Sequence, residues 1–124
     1  MNSKILVADD EPNIVISLEY LLKREGYTVV IARDGQEALE TIARELPDLV
    51  LLDVMMPKKT GFEVCQEVRA NDALQGIKIL MLTAKGRDTD LAKGTALGAD
   101  AYMTKPFSTR DLVLKVAQML GRSA

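Results

Sequence analysis

Leu49-Val50-Leu51-Leu52-Asp53 decides the reading of this chain: four aliphatic residues in unbroken succession, closed by a carboxylate. A strand with one wet face alternates apolar and polar residues, whereas an unbroken run suits a strand covered on both faces, as in a parallel sheet. Four further runs share this character: Ile5–Ala8, Val29–Ala32, Ile79–Leu82 and, more weakly, Ala101–Thr104. Helical patterns separate them. Ile14, Val15, Leu18, Leu21 and Leu22 recur on one face, with Pro12 in the first turn and Gly26 past the end. Asp34 and Glu37 make a capping-box-like start for a second helix with Ala38, Leu39, Ile42 and Leu46 on its face, stopped by Pro47. Thr60 with Glu63 and Ser108 with Asp111 predict the same reciprocal cap on the third and fifth helices. The poorest helix runs from Asp88 to Leu97, with Gly94 inside it and only Leu91, Ala92, Ala96 and Leu97 apolar. Strand alternating with helix five times predicts an α/β fold, a five-stranded parallel sheet with right-handed crossovers and helices on both faces. No linker or low-complexity stretch interrupts it, so residues 1–124 are expected to form a single domain.

Composition narrows the chemistry. At 48% hydrophobic and 27% charged residues, the chain has the make-up of a globular domain rather than a disordered one. Its apolar runs are too short to span a bilayer or serve as a signal peptide, so no membrane partner is expected. A net charge of −2 gives no basic field for direct binding of nucleic acid. One cysteine rules out an internal disulfide and fits a reducing, cytoplasmic setting. The absence of histidine removes Ser-His-Asp and Cys-His catalysis and leaves carboxylates as the metal-ligand candidates.

In a parallel sheet every strand ends on the same rim, and ligands bind there where the winding reverses. The five runs lead into Asp9-Asp10-Glu11, Arg33-Asp34, Asp53, Thr83 and Lys105-Pro106, so residues far apart in sequence converge. Asp53 after the most apolar strand is costly without compensation. Two carboxylates 4 Å apart at an effective dielectric of 20 repel by about 4 kcal/mol. A divalent cation offsets this, and all-oxygen ligands favour Mg²⁺ over Zn²⁺. Lys105 adds a second positive charge and Thr83 a hydroxyl donor. A carboxylate nucleophile, a metal, an ammonium and a hydroxyl are the parts phosphoryl transfer needs.

Asp9-Asp10, Asp53 with Met55-Met56-Pro57 and Gly61 behind it, Thr83-Ala84, Gly98-Ala99-Asp100-Ala101-Tyr102 and Lys105-Pro106-Phe107 follow in order. Together they resemble the receiver domains of bacterial two-component response regulators, from Lys4 to Leu120. The resemblance implies a doubly wound (βα)5 flavodoxin-like sandwich with strand order 2-1-3-4-5. It implies that Asp53 is the phosphoacceptor, and that Asp10, Asp53 and the backbone carbonyl of Met55 bind Mg²⁺ directly, with Asp9 acting through water. Thr83 and Lys105 would hold the phosphoryl group, the Lys105–Pro106 bond would be cis, and Tyr102 would turn inward as Thr83 moves. The implied partners are a sensor histidine kinase or histidine phosphotransfer protein, and an output domain or downstream protein meeting the fourth helix, fifth strand and fifth helix. That face would also serve a phosphorylation-dependent homodimer. Asp111 and Lys115 keep the charge pattern of winged-helix DNA-binding regulators there, while Ala101 stands where those often carry a second acid. Met55 and Lys85 occupy positions that influence dephosphorylation in the family. Such a domain promotes its own phosphorylation and dephosphorylation without a separate turnover substrate.

Taken singly these residues read more plainly: Asp53 as a strand terminator, Asp9 and Asp10 as helix-dipole partners, Thr83 as a turn residue, Lys105 as a solvated lysine, Tyr102 as a half-buried edge residue. Their arrival on one rim favours a site. Cys65, sharing a face with Gly61, Val64 and Val68, reads as packing, as do Met55, Met56, Met81 and Met103. Lys58-Lys59 reads as a solvated loop. An aspartyl-nucleophile phosphatase or phosphotransferase of the haloacid dehalogenase type needs a second Asp two residues after the first, where Met55 stands. A flavodoxin-like cofactor site needs a phosphate-cradling first loop, which Asp9-Asp10-Glu11 would repel. A degenerate receiver acting only as an adaptor is disfavoured by the intact set of five side chains.

Overall fold

The computed structural model describes residues 3–84, 92–93 and 96–121. Five parallel strands, β1 (Lys4–Ala8), β2 (Thr28–Ala32), β3 (Leu49–Asp53), β4 (Lys78–Ala84) and β5 (Ala101–Lys105), pair in the order β2-β1-β3-β4-β5. The helices α1 (Pro12–Arg24), α2 (Gly35–Glu45), α3 (Gly61–Ala70) and a C-terminal helix (Thr109–Met119) connect or follow them, with a 3₁₀ turn at Asp72–Leu74. Of the expected fourth helix, Ala92, Lys93, Ala96 and Leu97 are helical. The rest of Asp88 to Leu97, and Lys85, lie outside the described residues.

The unbroken apolar runs are explained by two cores. Leu6, Ala8, Val50, Leu52, Ile79 and Met81 face one cluster with residues of α2 and α3. Ile5, Val7, Leu49, Leu51, Leu80 and Leu82 face the other with α1 and the C-terminal helix. Every residue of β3 is buried, as is every residue of β1 after Lys4, because both strands are flanked by neighbours and covered on both faces. The edge strands β2 and β5 are only half-buried, matching the weak apolar signal of β5.

Local signals hold with informative exceptions. Thr60 and Glu63 form a complete capping box on α3. On α2 the Asp34 carboxylate accepts from the Glu37 N–H, but the Glu37 side chain reaches Arg33 N–H, one residue earlier than the box requires. On the C-terminal helix the Ser108 hydroxyl accepts from Asp111 N–H, the half of the box that the structure shows. Leu46 was expected on the buried face of α2; it is instead the left-handed C-cap, φ 48°, and 59% exposed. Pro47 disfavours helical backbone at the residue before it, so the chain leaves the helix there and carries the Leu46 side chain away from the core. Strand ends also shift: pairing continues through Asp53, Thr83–Ala84 and Lys105, so these side chains sit on the last rungs of the ladder rather than after it.

Candidate functional site

The rim at the carboxyl ends of β1, β3, β4 and β5 collects the expected side chains. Asp9 is fully buried, Asp53 is 6% exposed and Thr83 2% exposed, while Asp10 faces solvent. One carboxylate oxygen from each of Asp9, Asp10 and Asp53 lies within 4.8 Å of the other two. From β5, the Lys105 ammonium donates to Asp9 Oδ2 at 2.8 Å and lies 3.4 Å from Asp53 Oδ1 and 3.4 Å from Glu11 Oε1. The Lys105–Pro106 peptide is cis. The second Asp9 oxygen accepts from the Glu11 N–H at 2.9 Å, so both oxygens of that buried carboxylate are engaged.

Electrostatics set Asp53 apart. Burial raises its pKa most, the Asp9 charge raises it further, and Lys105 offsets only part; the result is about 7 against an ordinary 3.8. For Lys105, burial disfavours the ammonium, but its bond to Asp9 and the charges of Asp53, Asp9 and Glu11 outweigh that and hold its pKa above the usual lysine value. Among the described residues, three carboxylates gather around one ammonium, and the acidic donors are all oxygen. A hard divalent cation fits both features.

The remaining expected residues differ in how they are placed. The Thr83 hydroxyl makes a long 3.5 Å contact to the Ala84 carbonyl, besides other interactions. Tyr102 is half-buried and packs against the core on the α3 side. Met55 was expected to pack, yet its side chain is 58% exposed, because the loop after β3 lifts it off the sheet; Met56 and Met81 are buried and Met103 half-buried, as expected. Cys65 is buried, its thiol 3.5 Å from the Leu97 carbonyl. Lys58-Lys59 is more structured than a solvated loop: Lys58 takes a left-handed φ of 71° and pairs with Asp34 at 3.7 Å, and Lys59 meets Glu67 at 2.7 Å.

Sequence reasoning missed two features. Glu11 was read only as part of the acidic run, and its bond to Lys105 becomes visible once β1 and β5 are placed. Asp100 carries a role that spacing could not show: its carboxylate accepts from Arg69 Nη2 at 2.7 Å and from the Ile79 N–H at 2.7 Å. Arg69 also donates to the carbonyls of Gly98, at 2.8 Å, and Ile77, at 2.9 Å, fastening α3 to the chain entering β5 and β4.

Comparison with known proteins accords with this geometry. The family model described as "Response regulator receiver domain" matches residues 5–117. The alkaline phosphatase synthesis transcriptional regulatory protein PhoP of Bacillus subtilis (strain 168) is 52% identical over 123 residues, covering 99% of this chain and 50% of PhoP. The chain thus spans about half the length of that curated relative. Among solved structures, the chemotaxis response regulator CheY4 of Vibrio cholerae superposes with a TM-score of 0.90 at 33% identity, over 96% of this chain and 99% of CheY4. The receiver domain of the sensor histidine kinase PA1611 of Pseudomonas aeruginosa, crystallised with a magnesium ion in its active-site cleft, gives 0.89 at 27% identity, over 98% and 99%. Fold, acidic rim and family model agree: the chain belongs to the response-regulator receiver domains, the phosphoacceptor switch modules of two-component signal transduction.

Proposed function

We propose that Asp53 is the phosphoacceptor, taking a phosphoryl group from the phosphohistidine of a sensor histidine kinase or histidine phosphotransfer protein. The observation that carries this is a carboxylate buried at the end of β3, beside the Asp9 and Asp10 carboxylates and facing Lys105 at 3.4 Å. An Asp53 oxygen attacks phosphorus, the P–N bond breaks, and the leaving imidazole keeps the bonding pair and takes up a proton. Lys105 and Thr83 hold the equatorial oxygens as charge develops on them. Asp10, Asp53 and the Met55 carbonyl would hold Mg²⁺, with Asp9 acting through water. The ion supplies neutralising charge that one ammonium does not.

The domain is its own substrate in this reading, with no further turnover substrate, and 1–124 acts as one unit. It works in the cytoplasm, as expected of a partner of kinases that act there; no helix among the described residues is long and apolar enough to cross a membrane. Phosphorylation adds about −1.5 to −2 charge beside Thr83 and Lys105. Thr83 moves toward it, Tyr102 turns inward, and the face of the fourth helix, β5 and the C-terminal helix changes for an output domain, downstream protein or second copy. Moving such an equilibrium from 1:99 to 99:1 takes about 5.5 kcal/mol, so Lys105 and the bound partner share the work with Thr83.

The test is incubation with acetyl phosphate and Mg²⁺, phosphate being located by mass spectrometry. Wild type is expected to be modified on Asp53 alone and Asp53→Asn not at all. Amide exchange with BeF₃⁻ is expected to change from the rim into residues 88–97. Phosphate mapped mainly to another residue, or exchange changes confined to the rim, would sink the respective half of this reading.

A further inference from the structure

The loop from Val54 to Thr60 carries Met55, and its position is set by two glycines outside the acidic cluster. At its far end, Gly61 donates its N–H to the Val54 carbonyl at 2.9 Å, and a Cβ there would fall 3.0 Å from the Asp53 carbonyl carbon. At its middle stands Gly35, the first residue of α2, from a different part of the chain. Gly35 N–H donates to the Pro57 carbonyl at 3.2 Å. A Cβ on Gly35 would lie 2.5 Å from Lys59 Cβ and 2.6 Å from its carbonyl carbon, backbone that cannot swing aside as a side chain does. The same Pro57 carbonyl accepts from Lys59 N–H at 2.8 Å, closing a γ-turn around Lys58. Here the turn is closed in its rarer form, with a positive φ of 71° at a residue with a side chain, a strained backbone that persists only when its surroundings hold it. Asp34, beside Gly35, holds the Lys58 ammonium at 3.7 Å. The N-terminus of α2 thus clamps the turn by a hydrogen bond, an ion pair and direct backbone contact.

We propose that Gly35, with the turn at Lys58, is a positioning residue for the reaction: the missing side chain lets α2 seat the 54–60 loop where its Met55 carbonyl can join the Asp10 and Asp53 carboxylates around the cation. The proposal rests on the reading of those three groups as the ligands. It assigns the N-terminus of α2, which contributes no side chain to the acidic cluster, a share in metal binding. Partners that orient metal ligands change affinity by about 10–100-fold when removed, and Gly35→Ala is expected to lower Mg²⁺ affinity by at least about tenfold on that scale.

The experiment is calorimetric titration of Mg²⁺ alone into the metal-free chain, with amide NMR shifts recorded before metal is added. Wild type and Gly76→Ala, at an exposed glycine with nothing within 4 Å of an added Cβ, are expected to bind alike. Gly35→Ala is expected to bind weakly, with shifted amides at residues 54–60 already in the metal-free protein. Lys58→Pro at an exposed site forbids the positive φ, so it tests the same device should Gly35→Ala fail to fold, and it is expected to weaken Mg²⁺ in the same way. Wild-type binding with either folded variant at wild-type affinity overturns the positioning role. A wild-type chain that takes up no Mg²⁺ overturns the ligand reading, and this proposal with it.

Discussion

Asp53 and Asp100 lie near opposite ends of the sheet, and their surroundings are opposite in sign. Asp100 receives one guanidinium and one backbone N–H, each at 2.7 Å, and the same guanidinium also donates to the Gly98 and Ile77 carbonyls. Its carboxylate is matched by donors, and no cation is missing. Asp53 is buried beside Asp9 and Asp10 and, among the described residues, shares the Lys105 ammonium with Asp9 and Glu11. Sequence alone presents both as an acid next to an apolar strand. The structure separates a carboxylate that fastens the fold from one kept in electrostatic debt, and a group so kept is suited to a cation and an electrophile.

The sharpest way to break this comparison is to remove a carboxylate on each side and follow Mg²⁺. Asp10→Ala is expected to weaken Mg²⁺ binding by at least about tenfold, about 1.4 kcal/mol or more, as read by calorimetry. Asp9→Ala is expected to cost less affinity, since Asp9 is proposed to act through water. Asp100→Asn is expected to leave Mg²⁺ affinity unchanged. Equal losses at Asp10 and Asp100 would mean that affinity reports general damage, and that the two ends do not differ as argued.

Stability gives a smaller effect but a cleaner contrast, because the signs are opposed. Asp100→Asn weakens an ion pair with Arg69, and denaturant unfolding is expected to show a loss of about 1–2 kcal/mol. Asp53→Asn removes a charge that its neighbours disfavour. In metal-free buffer at pH 8 it is expected to stabilise the domain by about 1–3 kcal/mol. Destabilisation by both substitutions would remove the distinction drawn between them.

How much of this was legible beforehand follows from the physics of each signal. The buried strands were readable because β1, β3 and β4 have neighbours and cover on both faces, which demands unbroken apolar runs. The rim was readable because parallel strands all end on one side, so Asp9, Asp10, Asp53, Thr83 and Lys105 are gathered by topology; the strand order and the cis Lys105–Pro106 bond came from family resemblance. What was not legible depends on contacts between segments with no fixed spacing. The reach of Glu11 to Lys105, the Arg69–Asp100 fastening and the seat of Gly35 against Lys59 all needed the fold first. Leu46 and Met55 were misplaced for a local reason: a hydrophobic residue beside Pro47 or in the loop after Asp53 follows the backbone's direction, not its own transfer preference.

The smallest expected effect isolates Asp53 by pH. The chain has no histidine, and burial pushes the Cys65 thiol up, away from neutrality. Asp53, at about 7, is therefore placed to titrate across the range from 5 to 8. Its folded pKa lies above its unfolded value, so the folded state binds the proton more tightly. That contribution to stability is fully present below about 3.8 and is lost as pH rises through about 7. In EDTA the melting temperature is therefore expected to fall by a few degrees between pH 5 and pH 8, the scale on which about 1 kcal/mol moves a domain of this size. Asp53→Asn should flatten the slope, since an amide does not titrate, and Asp100→Asn should retain it. Saturating Mg²⁺ should reverse it, because the cation competes with the proton for the carboxylate and binds better as the proton leaves. A slope that survives in Asp53→Asn would place the titrating group elsewhere and deprive the rim of the excess charge on which the contrast with Asp100 depends.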